Sequence, residues 1–199
     1  MEMAFNWLAE HFELPILDWI ADNLRHPVLD GVFPLLTRLG DKGIFWILLA
    51  VCLLFFKKTR KAALSMGLAL LIGLVVCNLT MKPLLARMRP YDYQLTHFGR
   101  TVSLLIAAPS DFSFPSGHTL ASFEAAIALT LFHRKWGIPA LVLAGVIAWS
   151  RLYLYVHYPS DVLFSLLLSV GIAFLAVYLV KQGFDRWEKR IKKDKNTLL

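Results

Sequence analysis

Three polar clusters in this sequence carry the residue types that could bind and transfer a phosphoryl group. In chain order they are Lys82 with Arg89 and Pro90, then Pro115-Ser116-Gly117-His118, then Ser150-Arg151 with His157 and Asp161. Phosphoryl transfer depends mostly on positioning and on neutralising the phosphate oxygens, which fixed cations can do. Each cluster alone is a weak signal, but three cations, two imidazoles and a carboxylate together indicate phosphate chemistry.

The cations and the helix start suit phosphate oxygens in different ways. Arg89 and Arg151 carry planar forks that match two phosphate oxygens, and Lys82 supplies a point charge. Ser116 and Gly117 stand at the predicted start of a helix, where unpaired backbone N–H groups bind anions. A single arginine or histidine at a membrane boundary is more often a structural anchor, so this interpretation depends on the joint pattern.

The composition indicates an integral membrane protein. Of the 199 residues, 57% are hydrophobic and 18% are charged, whereas a soluble domain carries about 25% charged residues. The apolar residues form runs too long for a soluble core of this size to bury, which excludes disorder and an ordinary soluble enzyme. Cys52 and Cys77 both lie within apolar runs and supply neither a disulfide framework nor a zinc cluster.

Six apolar segments are predicted to cross the membrane as helices. They cover residues 27–39, 43–56, 62–82, 118–132, 138–156 and 161–180. Residues 1–25 mix aromatic and acidic side chains, a pattern typical of an amphipathic helix at the interface. The predicted fold class is all-α, a six-transmembrane-helix bundle with an N-terminal interfacial helix. Its predicted parts are the interfacial segment (1–25), the six-span domain (26–182) and a basic tail (183–199).

Basic residues outside the clusters gather on one side of this six-span arrangement. They follow spans two, four and six, at 57–61, 134–135 and 181–195. Because cytoplasmic loops are enriched in Lys and Arg, we expect both termini to be cytoplasmic. The polar clusters then lie at the outer ends of the spans, and the expected location is the cytoplasmic membrane.

With these three clusters, the sequence resembles the type 2 phosphatidic acid phosphatase superfamily, which includes bacterial lipid phosphatases. All three family motifs are matched, and the resemblance covers roughly residues 40–180. It implies a phosphatase that needs neither metal nor cofactor and acts on a membrane lipid phosphate or diphosphate in the bilayer. It further implies that His157 is a nucleophile forming a phosphohistidine, that Asp161 orients it, and that His118 acts first as general acid and then as base. The implied phosphate-binding residues are Lys82, Arg89, Ser116, Gly117 and Arg151.

Several alternatives stay open at this point. Undecaprenyl diphosphate is the favoured substrate and phosphatidylglycerophosphate or phosphatidic acid comes second, but no residue decides between them. A six-span anion transporter or a non-catalytic lipid-binding module could use similar cations, although transporters place such groups near the midplane and show repeats. No nucleic-acid partner is predicted, and the oligomeric state is left open. Glu124, inside span four, is expected to serve bundle packing rather than catalysis.

Overall fold

The computed structural model describes residues 2–197 and is helical throughout its regular elements. The amino-terminal elements are α1 (Glu2–Leu8), a π-helical turn (Ala9–Glu13), α2 (Leu14–Asn23), α3 (Pro27–Thr37), a tight connection (Arg38–Gly43) and α4 (Ile44–Leu54). The remaining helices are α5 (Arg60–Gly73), continued by a π-helical segment (Leu74–Met81) and α6 (Lys82–Leu85), then α7 (Pro90–Phe98), α8 (Gly117–Thr130), α9 (Arg134–Tyr153) and α10 (Pro159–Thr197).

The all-α prediction is confirmed, and the chain has the apolar helices of a membrane protein. Within residues 2–197, three stretches are long and apolar enough to cross a membrane, and they lie in Arg60–Phe98, Arg134–Tyr153 and Pro159–Ile191. α4 and α8 have only 11 and 14 residues, whereas a lone spanning helix needs about 20. They pack beside the longer helices. Their crossing of the bilayer stays a prediction.

The predicted crossing by residues 27–39 is wrong, although α3 is a helix. The backbone N–H of His26, just before α3, donates to Tyr153 Oη at 3.1 Å. At the other end of α3, Thr37 Oγ1 accepts from Arg151 Nη1 at 2.6 Å. Both contacts therefore lie at the same end of α9, a helix whose 20 residues rise by roughly 30 Å. α3 lies across that end of the bundle instead of running along α9.

This placement also corrects the predicted location of the termini. Five helices, namely α4, α5 with its continuation, α8, α9 and α10, run between the two ends of the bundle. Within residues 2–197, the amino-terminal segment and the carboxyl-terminal end of α10 consequently lie at opposite ends of the bundle, whereas the prediction placed them at the same end. α10 also continues through the predicted tail, whose Lys, Arg and Glu residues favour a helix. Met1 of the predicted interfacial segment and residues 198–199 of the tail lie outside the described residues.

α8 lies at the centre of the bundle, packed against α5, α9 and α10. Small buried side chains, among them Ala125, Ala126 and Ala128, allow these helices to approach closely. At the crossing with α9, Gly137 lies so near Thr130 that an added Cβ would overlap the Thr130 backbone. The central position of α8 places its first residue, Gly117, among the ends of three neighbouring helices.

Four helix ends meet at one end of the bundle. The continuation of α5 reaches Lys82 there, α8 starts at Gly117, α9 ends just after Arg151, and α10 starts at Pro159. The basic segments 57–61 and 134–135 stand at the opposite ends of these same helices. The fold therefore separates the polar clusters from these basic segments by the length of the bundle.

Candidate active site

A π-helical segment positions the first predicted cation. Within Leu74–Met81, Thr80 Oγ1 donates to the Val75 carbonyl at 2.9 Å, five residues back. π-helical segments are rare in proteins, and those that occur are frequently found at functional sites. Lys82 follows directly and is buried. Gly117 lies beside it, since a Cβ there would be in ordinary contact with Lys82 Nζ at 4.0 Å.

Arg89 and Lys82 converge on one carboxylate, that of Asp111. Arg89 precedes Pro90 and is extended, as the residue before a proline prefers. Its Nη2 donates to Asp111 Oδ1 at 2.6 Å and its Nη1 to the Val156 carbonyl at 2.6 Å, while Lys82 Nζ pairs with Asp111 Oδ2. Burial opposes ionisation of Asp111, but Lys82 and Arg89 outweigh it and hold the pKa of Asp111 well below its ordinary value. The two cations thus already bind an anionic group together.

His157 and Asp161 form a buried imidazole–carboxylate pair. His157 Nδ1 lies 3.3 Å from Asp161 Oδ2, and His157 Nε2 lies 3.3 Å from Arg89 Nη1. The Asp161 carboxylate also accepts from the backbone N–H of Tyr158 at 2.9 Å, as in a capping box at the start of α10, and from Ser113 Oγ at 2.5 Å. Because the carboxylate can only accept a hydrogen bond, Nδ1 of the neutral imidazole carries the proton. The lone pair of Nε2 then faces the cations.

The surroundings of His157 favour its neutral form. The residue is 1% exposed. Burial and then the charges of Arg89, Arg151 and Lys82 hold the pKa of His157 well below its ordinary value. A neutral imidazole whose second nitrogen is fixed by a carboxylate can act as a nucleophile.

His118 is paired with a carboxylate that the sequence did not indicate. His118 Nε2 lies 2.8 Å from Asp41 Oδ1. Gly40 makes this approach possible, because a Cβ at that position would lie 2.6 Å from His118 Cδ2. The hydrogen bond with His118 holds the pKa of Asp41 below its ordinary value. The ionised carboxylate is therefore placed to stabilise a protonated His118.

Two predicted phosphate-binding residues have partners of their own. Ser116 Oγ accepts from the backbone N–H of Thr119 at 3.4 Å and from Thr119 Oγ1 at 3.0 Å, which is ordinary helix capping. Its O–H remains able to donate. Arg151 is buried and donates to Thr37, while its Nε has no hydrogen-bond partner within residues 2–197. Its charge nevertheless reaches His157.

Four charged residues at this site were not predicted, namely Glu13, Asp41, Arg87 and Asp111. Asp41 and Asp111 lie in connecting segments, and nothing in their spacing marks them. Arg87 lies inside the first cluster, two residues before Arg89. Glu13 could have been found from its place in the amphipathic pattern, because it shares the buried face of the amino-terminal helices with apolar residues. Those residues are Ala9, Leu17 and Ile20.

Glu124 lies deeper in α8, buried against Gly73. Its side chain is 1% exposed, and Oε2 has no hydrogen-bond partner in the described part of the chain. In the same range, 2–197, no group of three or more His, Cys, Asp or Glu side chains could hold a metal ion.

Comparison with known proteins identifies the family. The model of the PAP2 superfamily matches residues 61–185, which contain all three polar clusters. The chain belongs to the PAP2 superfamily. Glu13 and Asp41 lie outside the matched residues.

Several proteins with known names or structures resemble the chain over most of its length. An undecaprenyl-diphosphatase of Sulfolobus acidocaldarius is 33% identical over 154 residues, which cover 77% of this chain and 71% of that protein. The crystal structure of LpxE from Aquifex aeolicus has a TM-score of 0.65 and 25% identity, and covers 83% of this chain and 94% of its own. A transmembrane PAP2-type phosphatidylglycerolphosphate phosphatase from Bacillus subtilis has a TM-score of 0.57 and 27% identity, with 92% and 93% covered. The resemblance drawn from the motifs is thereby confirmed.

Proposed function

We propose that the protein is a lipid phosphatase that hydrolyses a lipid phosphate or diphosphate, with undecaprenyl diphosphate as the favoured substrate. One observation carries this proposal, a cavity of about 970 Å³ that joins Lys82 and His118 to apolar side chains of α4 and α5. Its polar end is lined by Lys82, Asp111, Gly117 and His118, and its far end by Leu54, Ala63 and Leu64. A charged headgroup and a hydrocarbon chain fit the two ends of such a cavity.

The cavity has the length of a lipid chain. It follows α5 and its continuation from Ala63 to Lys82, which is roughly 28 Å at 1.5 Å per residue and close to the ~30 Å of a bilayer's hydrocarbon core. Exposed side chains of α4 and α5, such as Val51 and Leu71, line its sides. Because these faces are open, a substrate can enter sideways from the bilayer and keep its chain in hydrocarbon.

The names of the relatives support a polyprenyl diphosphate over other lipids. The Sulfolobus relative described above is an undecaprenyl-diphosphatase, and the Bacillus structure is a phosphatidylglycerolphosphate phosphatase. Phosphatidylglycerophosphate is therefore the second candidate substrate, followed by phosphatidic acid. An anion transporter is disfavoured because the cations lie at one end of the bundle and not near its middle.

In the first half of the proposed reaction, the substrate phosphate displaces Asp111 from the two cations that hold it. His157 Nε2 attacks phosphorus, so that a P–N bond forms while the P–O bond to the leaving group breaks. Asp161 stabilises the positive charge that develops on the imidazole. His118 donates its proton to the leaving oxygen.

In the second half, the phosphohistidine is hydrolysed. His118, now neutral, takes a proton from a water molecule, whose oxygen attacks phosphorus and breaks the P–N bond. Inorganic phosphate leaves and His157 returns to its neutral form. His118 has thereby regained its proton, and Asp41 stabilises this protonated form for the next substrate.

We further propose that the site faces the outer side of the cytoplasmic membrane. The basic segments 57–61 and 134–135 and the extension of α10 lie at the other end of the bundle, and the positive-inside rule assigns that end to the cytoplasm. The amino-terminal helices then lie at the outer interface. Their exposed Trp7 and Trp19 suit the headgroup level.

The test is phosphate release in detergent micelles from undecaprenyl diphosphate, phosphatidylglycerophosphate, phosphatidic acid and a soluble phosphomonoester. We expect the lipid diphosphate to be turned over with the highest kcat/KM. We also expect His157→Ala to lose phosphate release while eluting as the wild type does in gel filtration. Wild-type turnover by that variant would remove His157 as the nucleophile, and no release from any lipid would refute the proposed function.

A further inference from the structure

Arg87 links two carboxylates that come from distant parts of the chain. Its Nη1 donates to Asp161 Oδ1 at 2.5 Å and to Ser160 Oγ at 2.8 Å, and its Nη2 pairs with Glu13 Oε2. The side chains of Arg87, Glu13 and Asp161 are at most 3% exposed. The guanidinium also lies over the ring of Tyr158, 3.8 Å from its centroid. A desolvated network of this kind holds its members in one geometry.

The contacts of Asp161 are divided between its two oxygens. Oδ2 faces His157 Nδ1, whereas Oδ1 is held by Arg87. Arg87 therefore has no contact with the predicted reacting nitrogen, His157 Nε2, and acts on it only through Asp161. Its effect depends on Glu13, because Glu13 balances the positive charge that Arg87 would otherwise direct wholly at Asp161.

Glu13 also holds the start of α10. Its second oxygen, Oε1, accepts from the backbone N–H of Ser160 at 2.9 Å. This N–H belongs to the first turn of α10, whose amide groups have no partner within the helix. One side chain of the amino-terminal segment thus contacts both Arg87 and the residue next to Asp161.

The amino-terminal helices are docked at this point by further contacts. Tyr93 Oη donates to Glu10 Oε1 at 2.6 Å, and Tyr155 Oη donates to Asp18 Oδ1 at 2.7 Å. Both contacts join the amino-terminal segment to elements around the site. The segment therefore packs on the site end of the bundle, where the predicted role was only that of an interfacial anchor.

We propose that Glu13 and Arg87 are positioning residues through which the amino-terminal helix completes the His157–Asp161 pair. This inference rests on the proposed function, since it assigns His157 as the nucleophile. Glu13 lies outside the residues that the PAP2 model matches. The substrate-binding cations Lys82 and Arg89 do not contact Glu13, so the pair should govern turnover more than substrate binding.

The test compares Glu13→Gln and Glu13→Asp with Asp22→Asn, a control on the exposed face of the same segment. For Glu13→Gln we expect kcat to fall 10- to 100-fold, the effect of displacing a catalytic group by about 1 Å, while KM stays within about twofold. Glu13→Asp keeps the charge and should recover part of kcat. Asp22→Asn should behave as the wild type.

Inhibition by two anions separates positioning from general damage to the site. Vanadate becomes five-coordinate by taking a fifth ligand from an aligned imidazole nitrogen, whereas inorganic phosphate remains tetrahedral and needs only the cations. We expect Glu13→Gln to weaken vanadate inhibition about tenfold and to leave phosphate inhibition within about twofold. Equal weakening of both inhibitors, or wild-type kcat and wild-type vanadate inhibition, would overturn the proposal.

Two further measurements keep the outcome clear. If Glu13→Gln does not elute as a single folded species, Arg87→Lys replaces it, because that variant keeps the charge but loses the fork, and the same pattern of inhibition is expected. If the wild type hydrolyses no lipid phosphate, the proposed function fails. Calorimetry then measures the binding of vanadate and phosphate to the wild type and to the Glu13 variants. Selective weakening of vanadate binding in Glu13→Gln would support the positioning role, and equal weakening of both anions would overturn it.

Discussion

The imidazole of His118 and the carboxylate of Asp41 lie 2.8 Å apart, although 77 positions separate them in the chain. Together with His157 and Asp161, they give the site two imidazole–carboxylate pairs. The pairs differ in exposure, since the side chain of Asp161 is fully buried and that of Asp41 is 56% exposed. The buried pair suits a nucleophile that must stay in place, and the exposed pair suits a group that exchanges protons with water.

Asp41→Asn should impair the proton donor and not the nucleophile. An amide no longer favours the protonated His118, so we expect kcat to fall about tenfold, with the deficit growing toward alkaline pH. The measurement is the pH dependence of phosphate release between pH 5 and 9, with Asp22→Asn as the control. A deficit that is equal at every pH would argue against a role for Asp41 in proton donation.

Asp111→Asn should bind inorganic phosphate more tightly than the wild type. Phosphate then no longer has to displace an ionised carboxylate from Lys82 and Arg89, and we expect the inhibition constant to fall about tenfold, or ~1.4 kcal/mol. Asp185→Asn, an equal change of charge on the extension of α10, serves as the control. Weaker phosphate inhibition would show that Asp111 organises the two cations and does not compete with substrate.

The acid limb of the activity profile should lie at unusually low pH. Burial, Arg89, Arg151 and Lys82 lower the pKa of His157, so its neutral form persists below the ordinary histidine value of about 6.5. We expect kcat/KM, which reports the free enzyme, to stay level as the pH falls below that value. An acid limb near pH 6.5, shared by substrates whose own pKa values differ, would contradict a neutral, buried His157.

Gly40→Ala should lower turnover by displacing His118. The added Cβ would lie 2.6 Å from His118 Cδ2, so the imidazole must move away from Asp41, and a displacement of about 1 Å costs up to 100-fold in rate. Gly145→Ala is the matched control, because a Cβ there meets nothing within 4 Å. Equal kcat values for the two variants would show that the added methyl group is accommodated without displacing the His118 imidazole.

Hydropathy predicted the long helices well and failed at α3. α9 and α10 carry sustained apolar runs, and such runs leave few alternatives to a spanning helix. The run at 27–39 is shorter and contains Asp30 and Pro34, and its apolar side chains pack on the end of α9 and not along it. Length alone could not distinguish a short crossing from a helix lying across the bundle, because that depends on contacts with Arg151 and Tyr153.

The helix-end residues of the site were predictable because local chemistry fixes where helices begin. Pro90, Gly117 and Pro159 are the first residues of three helices. The motif side chains Arg89, His118 and Asp161 lie within two residues of these starts. The missing carboxylates depend on tertiary contacts instead. Asp111 is 29 residues from Lys82, and Glu13 is 147 residues from Ser160. No spacing rule connects positions so far apart, so neither partner could be assigned from the sequence.

The π-helical segment before Lys82 makes the chain length there critical. Each residue of a π-helical segment turns the chain by less than the about 100° of an α-helix, so removing one residue from Leu74–Met81 and restoring regular geometry would change the direction in which the lysine ammonium points. Such a shortened chain should still insert into membranes yet lose its affinity for phosphate. At this point in the molecule the count of residues, and not only their identity, decides whether a headgroup can be held.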